Sequence, residues 1–200
     1  MIMGKAEDLK KEKLMKTWKE VLQLNIRAFF EYVRGISYGY RDAEGRIHHL
    51  EVSEDYRKER GNSAYAFSSP EQVVAQNCAW CWDVAELIRC WCEFHDLPCK
   101  SVFMEYLSPE LHQTHVQVFV RFEGRWYEAP DNTSPVPFGS RGFERAEDCI
   151  ADFVSAFTAY LKGTLKQAYD EKKLTVKEFH CRIPAGISDE AYLELLRGSD

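Results

Sequence analysis

The stretch Thr114-His115-Val116-Gln117-Val118-Phe119-Val120-Arg121-Phe122-Glu123-Gly124-Arg125-Trp126-Tyr127-Glu128-Ala129-Pro130-Asp131 decides how this chain folds. Thr114–Phe122 and Arg125–Ala129 are strand-like runs, rich in β-branched and aromatic residues. Glu123-Gly124 between them is too short for anything but a tight hairpin turn. Across a two-residue turn, residues whose numbers sum to about 247 face each other. His115 then lies opposite roughly residue 132, one step from Asp131. The hairpin alone brings an imidazole and a carboxylate to one end of a sheet.

Working outward, Ser101–Leu107 reads as a third strand. Before it, Val84, Leu87, Ile88, Trp91 and Phe94 give one apolar face to a helix that starts near Cys81 and stops by Asp96, ahead of Pro98. Ser68-Ser69-Pro70-Glu71 supplies a cap, a first-turn proline and an early acid for a short helix through Val74. Further upstream, apolar residues from Leu14 to Val33 recur at three- and four-residue steps. They predict one amphipathic helix from Lys13 to about Gly35. Ile36–Val52 reads as a hairpin turning at Asp42-Ala43-Glu44-Gly45, and Ser53–Ser69 as a loop. Downstream come a Pro/Gly/Ser loop over 131–142, a helix over Phe143–Leu161, a strand over Thr175–Ile183 and a terminal helix opened by Ser188-Asp189-Glu190. The fold class is α+β, a single domain over 13–200 with a polar, disordered tail over 1–12.

Composition narrows the function. The chain has 200 residues, 45% of them hydrophobic and 14% aromatic, enough for a packed core. With 32 acidic against 26 basic side chains and a net charge of −6, an electrostatic nucleic-acid binder is not expected. No run approaches the roughly 18 apolar residues of a membrane span, and Met1–Lys16 has no apolar core of a secretory signal. The expectation is a cytoplasmic protein with reduced thiols and no membrane partner. Of seven cysteines, five fall within Cys78–Cys99. That is less a disulfide framework than a reactive site, a metal site or small buried hydrophobes.

Cys81 stands where the helical period begins. There the positive end of the helix dipole and the unpaired first-turn amides favour thiolate, the nucleophilic form. The same amides can hold the oxyanion of a tetrahedral intermediate. Such a nucleophile needs a base and a group that orients the base. His115 is the candidate base and Asp131 the candidate orienter. Glu128 is the rival third member. It shares a face with the residues opposite His115, but it pairs with Phe119, four residues or roughly 13 Å along the strand. Asp131 reaches His115 if the strand ends or bulges near Pro130. Gln76 and Asn77 are candidate oxyanion donors just upstream, and Trp80 and Trp82 candidate pocket walls. Asp83 complements the first turn of the helix.

Three blocks in order resemble the core of transglutaminase-like proteins, within the papain-like group of thiol enzymes. They are Cys81-Trp82-Asp83-Val84-Ala85-Glu86-Leu87, Thr114-His115-Val116-Gln117-Val118, and Gly124-Arg125-Trp126-Tyr127 with Asp131-Asn132-Thr133. The resemblance covers Pro70 to about Pro135. It implies a helix-borne cysteine packed on an antiparallel β-meander, with extra N- and C-terminal helices. It also implies Cys81 as nucleophile, His115 as general base and acid, and Asp131 as orienter. Ala79 stands where the family often has Gly, and Pro130-Asp131-Asn132-Thr133 where it has Asp-Pro-Thr. The implied reaction is attack on an amide or ester carbonyl through an acyl-cysteine, with a peptide, protein or small amide as substrate and no cofactor.

Three other readings stand beside it. One is a transglutaminase-like binding module without turnover. Another is a dithiol redox site at Cys78-Ala79-Trp80-Cys81, although the strand expected before such a motif is missing. The last is a zinc site, which fails because Cys90 and Cys92 point roughly 160° apart on one helix. No Asp/Asn/Gly loop has calcium-binding spacing.

Overall fold

The hairpin forms in the register its turn dictates. A computed structural model describes residues 17–49 and 65–198. In it β5 (His112–Phe122) and β6 (Arg125–Glu128) pair antiparallel, with Phe119 opposite Glu128 and Phe122 opposite Arg125. Glu123 and Gly124 both have positive φ, 48° and 80°, the conformation of a type I′ turn. Ahead of them, β4 (Cys99–Leu107) pairs along its whole length with His112–Val120 of β5, placing Met104 opposite His115. With β7 (Gly142–Phe143) and β8 (Leu174–Phe179) the sheet has the order β7-β6-β5-β4-β8, every pairing antiparallel.

A second, three-stranded sheet was not foreseen in full. The expected hairpin is β1 (Ser37–Arg41) against β2 (Ile47–His49), with Tyr40 opposite His48. A two-residue strand, β3 (Cys78–Ala79), adds to β1 in parallel. Two residues give no periodicity, so β3 could not be read from the chain. It leads straight into the helix that begins at Cys81.

Helices flank both sheets. The single helix expected over 13–35 is instead two, α1 (Trp18–Val21) and α2 (Ile26–Arg34). Asn25 causes the break. Its backbone is extended, and its Oδ1 accepts the Ala28 amide at 3.0 Å, capping a fresh helix. The apolar period runs on through the break, with Val21, Phe29, Phe30 and Val33 all buried, which hides the break from a periodicity argument. α3 (Pro70–Gln76) starts at the expected Ser69 cap and runs two residues past Val74. α4 (Cys81–Phe94), α5 (Ala146–Leu165) and α6 (Asp189–Gly198) are the other α-helices among the described residues. Phe143, expected to open α5, pairs in β7 with Trp126 instead, and β8 ends at Phe179 rather than Ile183. The 1–12 segment, the start of the first helix and most of the 53–69 loop lie outside the described residues.

Side chains alternate along β5 and so serve two layers. Val116, Val118 and Val120 join the main core with α4, where Trp91 stacks on Phe29 at 4.3 Å and Trp82 on Tyr192 at 4.1 Å. Phe119 faces the other way, under Phe153 of α5. The class is α+β, and no helix among the described residues is long and apolar enough to cross a membrane.

Glu123 has a left-handed conformation that suits Asn far better. We expect Glu123→Asn to stabilise the chain by roughly 0.5–1 kcal/mol in urea unfolding. Destabilisation would mean that the turn is not the two-residue turn described.

Candidate functional site

The site is built around the early end of β6. Successive residues of an antiparallel strand turn their N–H and C=O groups to alternate sides. Val118 turns towards β6, since its carbonyl accepts the Ala129 amide at 2.9 Å. Val116 turns the same way, but β6 ends at Glu128, opposite Phe119, and no ladder partner of Val116 remains on this side. Cys81, the first residue of α4, lies beside this gap, where the Val116 and Trp82 amides act on its thiol in favour of the thiolate. Val116 follows His115, so the thiol lies beside the main chain of the candidate base.

Asp83 fixes the start of α4. Its Oδ1 accepts Tyr65 Oη at 2.6 Å and the Ser68 amide at 2.9 Å, and its Oδ2 the Trp80 amide at 3.4 Å. It therefore does more than complement the helix dipole: it clamps the segment before α3 to the first turn of α4. Asp83 is fully buried, and burial pushes its carboxyl up to about 7 against the pull of these donors.

Beyond Pro130 the chain leaves the sheet and crosses to α4. Asn132 Nδ2 donates to Ala79 O at 2.8 Å and to Ser37 O at 3.3 Å, anchoring the loop to the residues just before Cys81. Asp131 is nearly buried, and its Oδ1 accepts Thr133 N, Thr133 Oγ1 and Ser134 Oγ at 2.8, 2.8 and 3.1 Å. Its negative charge reaches both partners, pushing the Cys81 thiol pKa upward and opposing the fall of the His115 pKa. The three residues are thus grouped at one end of β5. No hydrogen bond among the described residues joins Asp131 to His115. The ring's partner is Gln117, with Nε2 3.3 Å from Gln117 Oε1. Phe153 and Phe157 of α5 stack near the ring, at 5.6 and 6.2 Å between centroids.

Electrostatics overturn one expectation. The helix start was expected to favour thiolate at Cys81. Burial outweighs that: together with the charges of Asp131 and Asp83 it pushes the thiol up to about 12, despite two amide donors. His115 is moved below its usual value of 6.5, again mainly by burial. At neutral pH the pair is thiol and neutral imidazole.

The other candidates fare differently. Gln76 is committed to structure, its Nε2 donating to Cys78 O at 2.7 Å and Ser68 Oγ at 3.1 Å. That removes it as an oxyanion donor. Asn77 ends α3 in the left-handed region at φ 49°, and its Oδ1 is buried without a partner among the described residues. Trp80 and Trp82 are core residues rather than pocket walls. Trp80 packs on Tyr65 at 4.8 Å and Trp82 on Tyr192. Glu128 pairs with Phe119 as expected, well along the strand from His115. It lines a cavity of about 270 Å³ with Pro130, Ser134 and Asp152, flanking the Asp131 loop.

Cys78 and Cys81 face different elements, because Cys78 Sγ lies 3.9 Å from the His48 carbonyl oxygen in the other sheet. All seven cysteines are free. Cys90 lies against Glu86 and Arg182 while Cys92 is buried, as their angular separation on α4 requires. Among the described residues no group of three or more His, Cys, Asp or Glu could hold a metal ion. Sequence reasoning missed Gln117 and Asn132. The signal for Gln117 was available, since residues two apart on a strand share a face. No protein-family model matches this chain, and no curated protein matches it.

Two measurements follow from these charges. Alkylation of Cys81 by iodoacetamide, mapped by mass spectrometry, should climb about tenfold per pH unit from pH 7 to 10, tracking thiolate. A plateau reached below pH 7 would reveal a preformed thiolate. For Asp83, the folded carboxyl holds its proton above the unfolded value, so its contribution to stability falls as pH rises from about 4 to 7. Asp83→Asn lacks that loss. Its stability relative to wild type, from urea unfolding, should improve across this window and level off above it; a constant difference would contradict the buried clamp.

Proposed function

We propose that the chain is a thiol enzyme of the transglutaminase-like, papain-like type, acting on an amide or ester carbonyl through an acyl-Cys81 intermediate. One observation carries the reading. The Cys81 thiol, at the start of α4, is acted on by the amide of Val116, the residue next to His115, and the charge of Asp131 acts on both Cys81 and His115. The order of the three motif blocks supports the family, and their spacing on one helix and one hairpin supports the shared site.

The chemistry starts from the neutral pair. As the Sγ–carbon bond forms, the thiol proton passes to His115, and the carbonyl oxygen becomes an oxyanion facing first-turn amides of α4. The imidazolium gives its proton to the leaving amine or alcohol as the carbon–nitrogen or carbon–oxygen bond breaks. Water or an amine then attacks the thioester carbonyl while His115 takes its proton; the carbon–Sγ bond breaks, and the imidazolium returns a proton to the sulfur, restoring the thiol. Charge is separated only while the imidazolium exists, and the Asp131 carboxylate stabilises it at that moment. Holding the pair neutral between turnovers keeps the thiol inert towards adventitious electrophiles. The substrate is a peptide, a protein side chain or a small amide.

A second reading has one observation in its favour. The aromatic cover that α5 lays near His115 suits a fold kept for binding rather than turnover.

Hydrolysis of 4-nitrophenyl acetate separates the two. Turnover should vanish in Cys81→Ala and fall about a hundredfold or more in His115→Ala. Asp131→Ala should lower kcat/KM by about tenfold or more while the chain stays folded, and Glu128→Ala should change it little. Equal rates in wild type and Cys81→Ala would favour the binding module. Activity lost with Glu128 and kept without Asp131 would assign the third member to Glu128.

A further inference from the structure

We propose that Gln117 is a positioning residue that holds His115 in the tautomer protonated on Nε2, leaving Nδ1 as the base towards Cys81. The proposal rests on the thiol-enzyme reading above and assigns the orienting task to a residue outside the Cys81, His115 and Asp131 set.

Gln117 is only 3% exposed. Its Nε2 donates to Ala129 O at 2.6 Å and to Val118 O at 3.1 Å. A primary amide has two N–H donors, and both are spent on carbonyl oxygens. Turning the amide over would set its own oxygen against those two carbonyls, so the orientation is fixed by its surroundings. Oε1 must therefore face His115, and an amide oxygen can only accept. The nitrogen it meets, Nε2 at 3.3 Å, is then the one that carries the proton. His115 is neutral because burial holds its pKa low, so its other nitrogen, Nδ1, bears the lone pair.

Position selects the same nitrogen. The Cys81 thiol feels the amide of Val116, the residue next to His115, and Nδ1 is the ring nitrogen nearer the main chain. Phe153 and Phe157, tilted only 22° and 26° from the ring plane, oppose its rotation. Asp131 is left a different task. With Oδ1 spent on Thr133 and Ser134, it acts on the pair through its charge.

The carbonyl that fixes Gln117 belongs to Ala129, the residue where β6 gives way to the Asp131 loop. The end of the strand therefore sets the tautomer as well as the place of the thiol.

Nitrogen-15 NMR of the imidazoles in the full chain reads the tautomer directly and without any substrate. In wild type, His115 should be a single Nε2–H form whose ring proton resists exchange. In Gln117→Leu that proton should exchange rapidly and the ring nitrogens should average between forms. The same variant should lower kcat/KM for 4-nitrophenyl acetate about tenfold, through kcat with KM unchanged. An Nδ1–H form in wild type, or an unaltered ring spectrum in Gln117→Leu, would overturn the proposal. Should Gln117→Leu fail to fold, the wild-type spectrum alone decides between the tautomers. Absence of Cys81-dependent turnover in wild type would overturn the thiol-enzyme reading instead, while the spectrum still judges the Gln117 contact.

Discussion

The site depends on a strand edge that a longer β6 would have covered. β4 pairs β5 from His112 to Val120, but β6 covers its other edge only from Val118 onward. The Val116 amide on that edge is left without a strand partner, and it acts on the Cys81 thiol beside it. Everything around the site follows from this vacancy. α4 must begin at the sheet edge, the chain after Ala129 must cross over it, and Asn132 must tie that crossing to Ala79. Pro130 suits the place, because it cannot donate to a ladder and so helps the strand to stop.

Packing here works against charge. A thiol at a helix start gains from the dipole and the free amides, an effect worth up to about 2 kcal/mol in partly buried positions. Losing water costs the thiolate more, and two carboxylates nearby add to the cost. The same desolvation keeps His115 neutral and Asp83 readily protonated. A neutral site can be closed over by aromatic side chains without stranding an ion, and Phe153 and Phe157 do cover the imidazole. Charge then has to be created during turnover, where the Asp131 carboxylate and the α4 amides can meet it.

Much of the frame was legible in the chain because strong local signals carried it. The Glu123-Gly124 turn fixed the register of β5 and β6, Ser69 and Pro70 fixed the start of α3, and the apolar period fixed α4. What escaped depended on single residues or on distant partners. Asn25 breaks a continuous apolar stripe by capping a new helix. β3 exists only because β1 lies beside it. The state of Cys81 was misjudged for a related reason: the dipole is local and readable, whereas burial arises only in the folded chain and the charge of Asp131 acts from 50 positions away. Gln76 looked available because its two acceptors, Ser68 Oγ and Cys78 O, meet it only in the folded chain.

The central claim is that the Cys81 sulfur and the His115 imidazole work as one unit at the open edge of β5. A bifunctional alkylator with a three-carbon span, 1,3-dibromoacetone, tests it most directly, because it bridges a thiol and an imidazole only when the two are close neighbours. After reaction with the full-length chain at mildly alkaline pH and proteolysis, mass mapping should recover a cross-linked peptide pair joining Cys81 to His115. Recovery of Cys81 linked to another residue, or of single-ended adducts alone, would contradict the account.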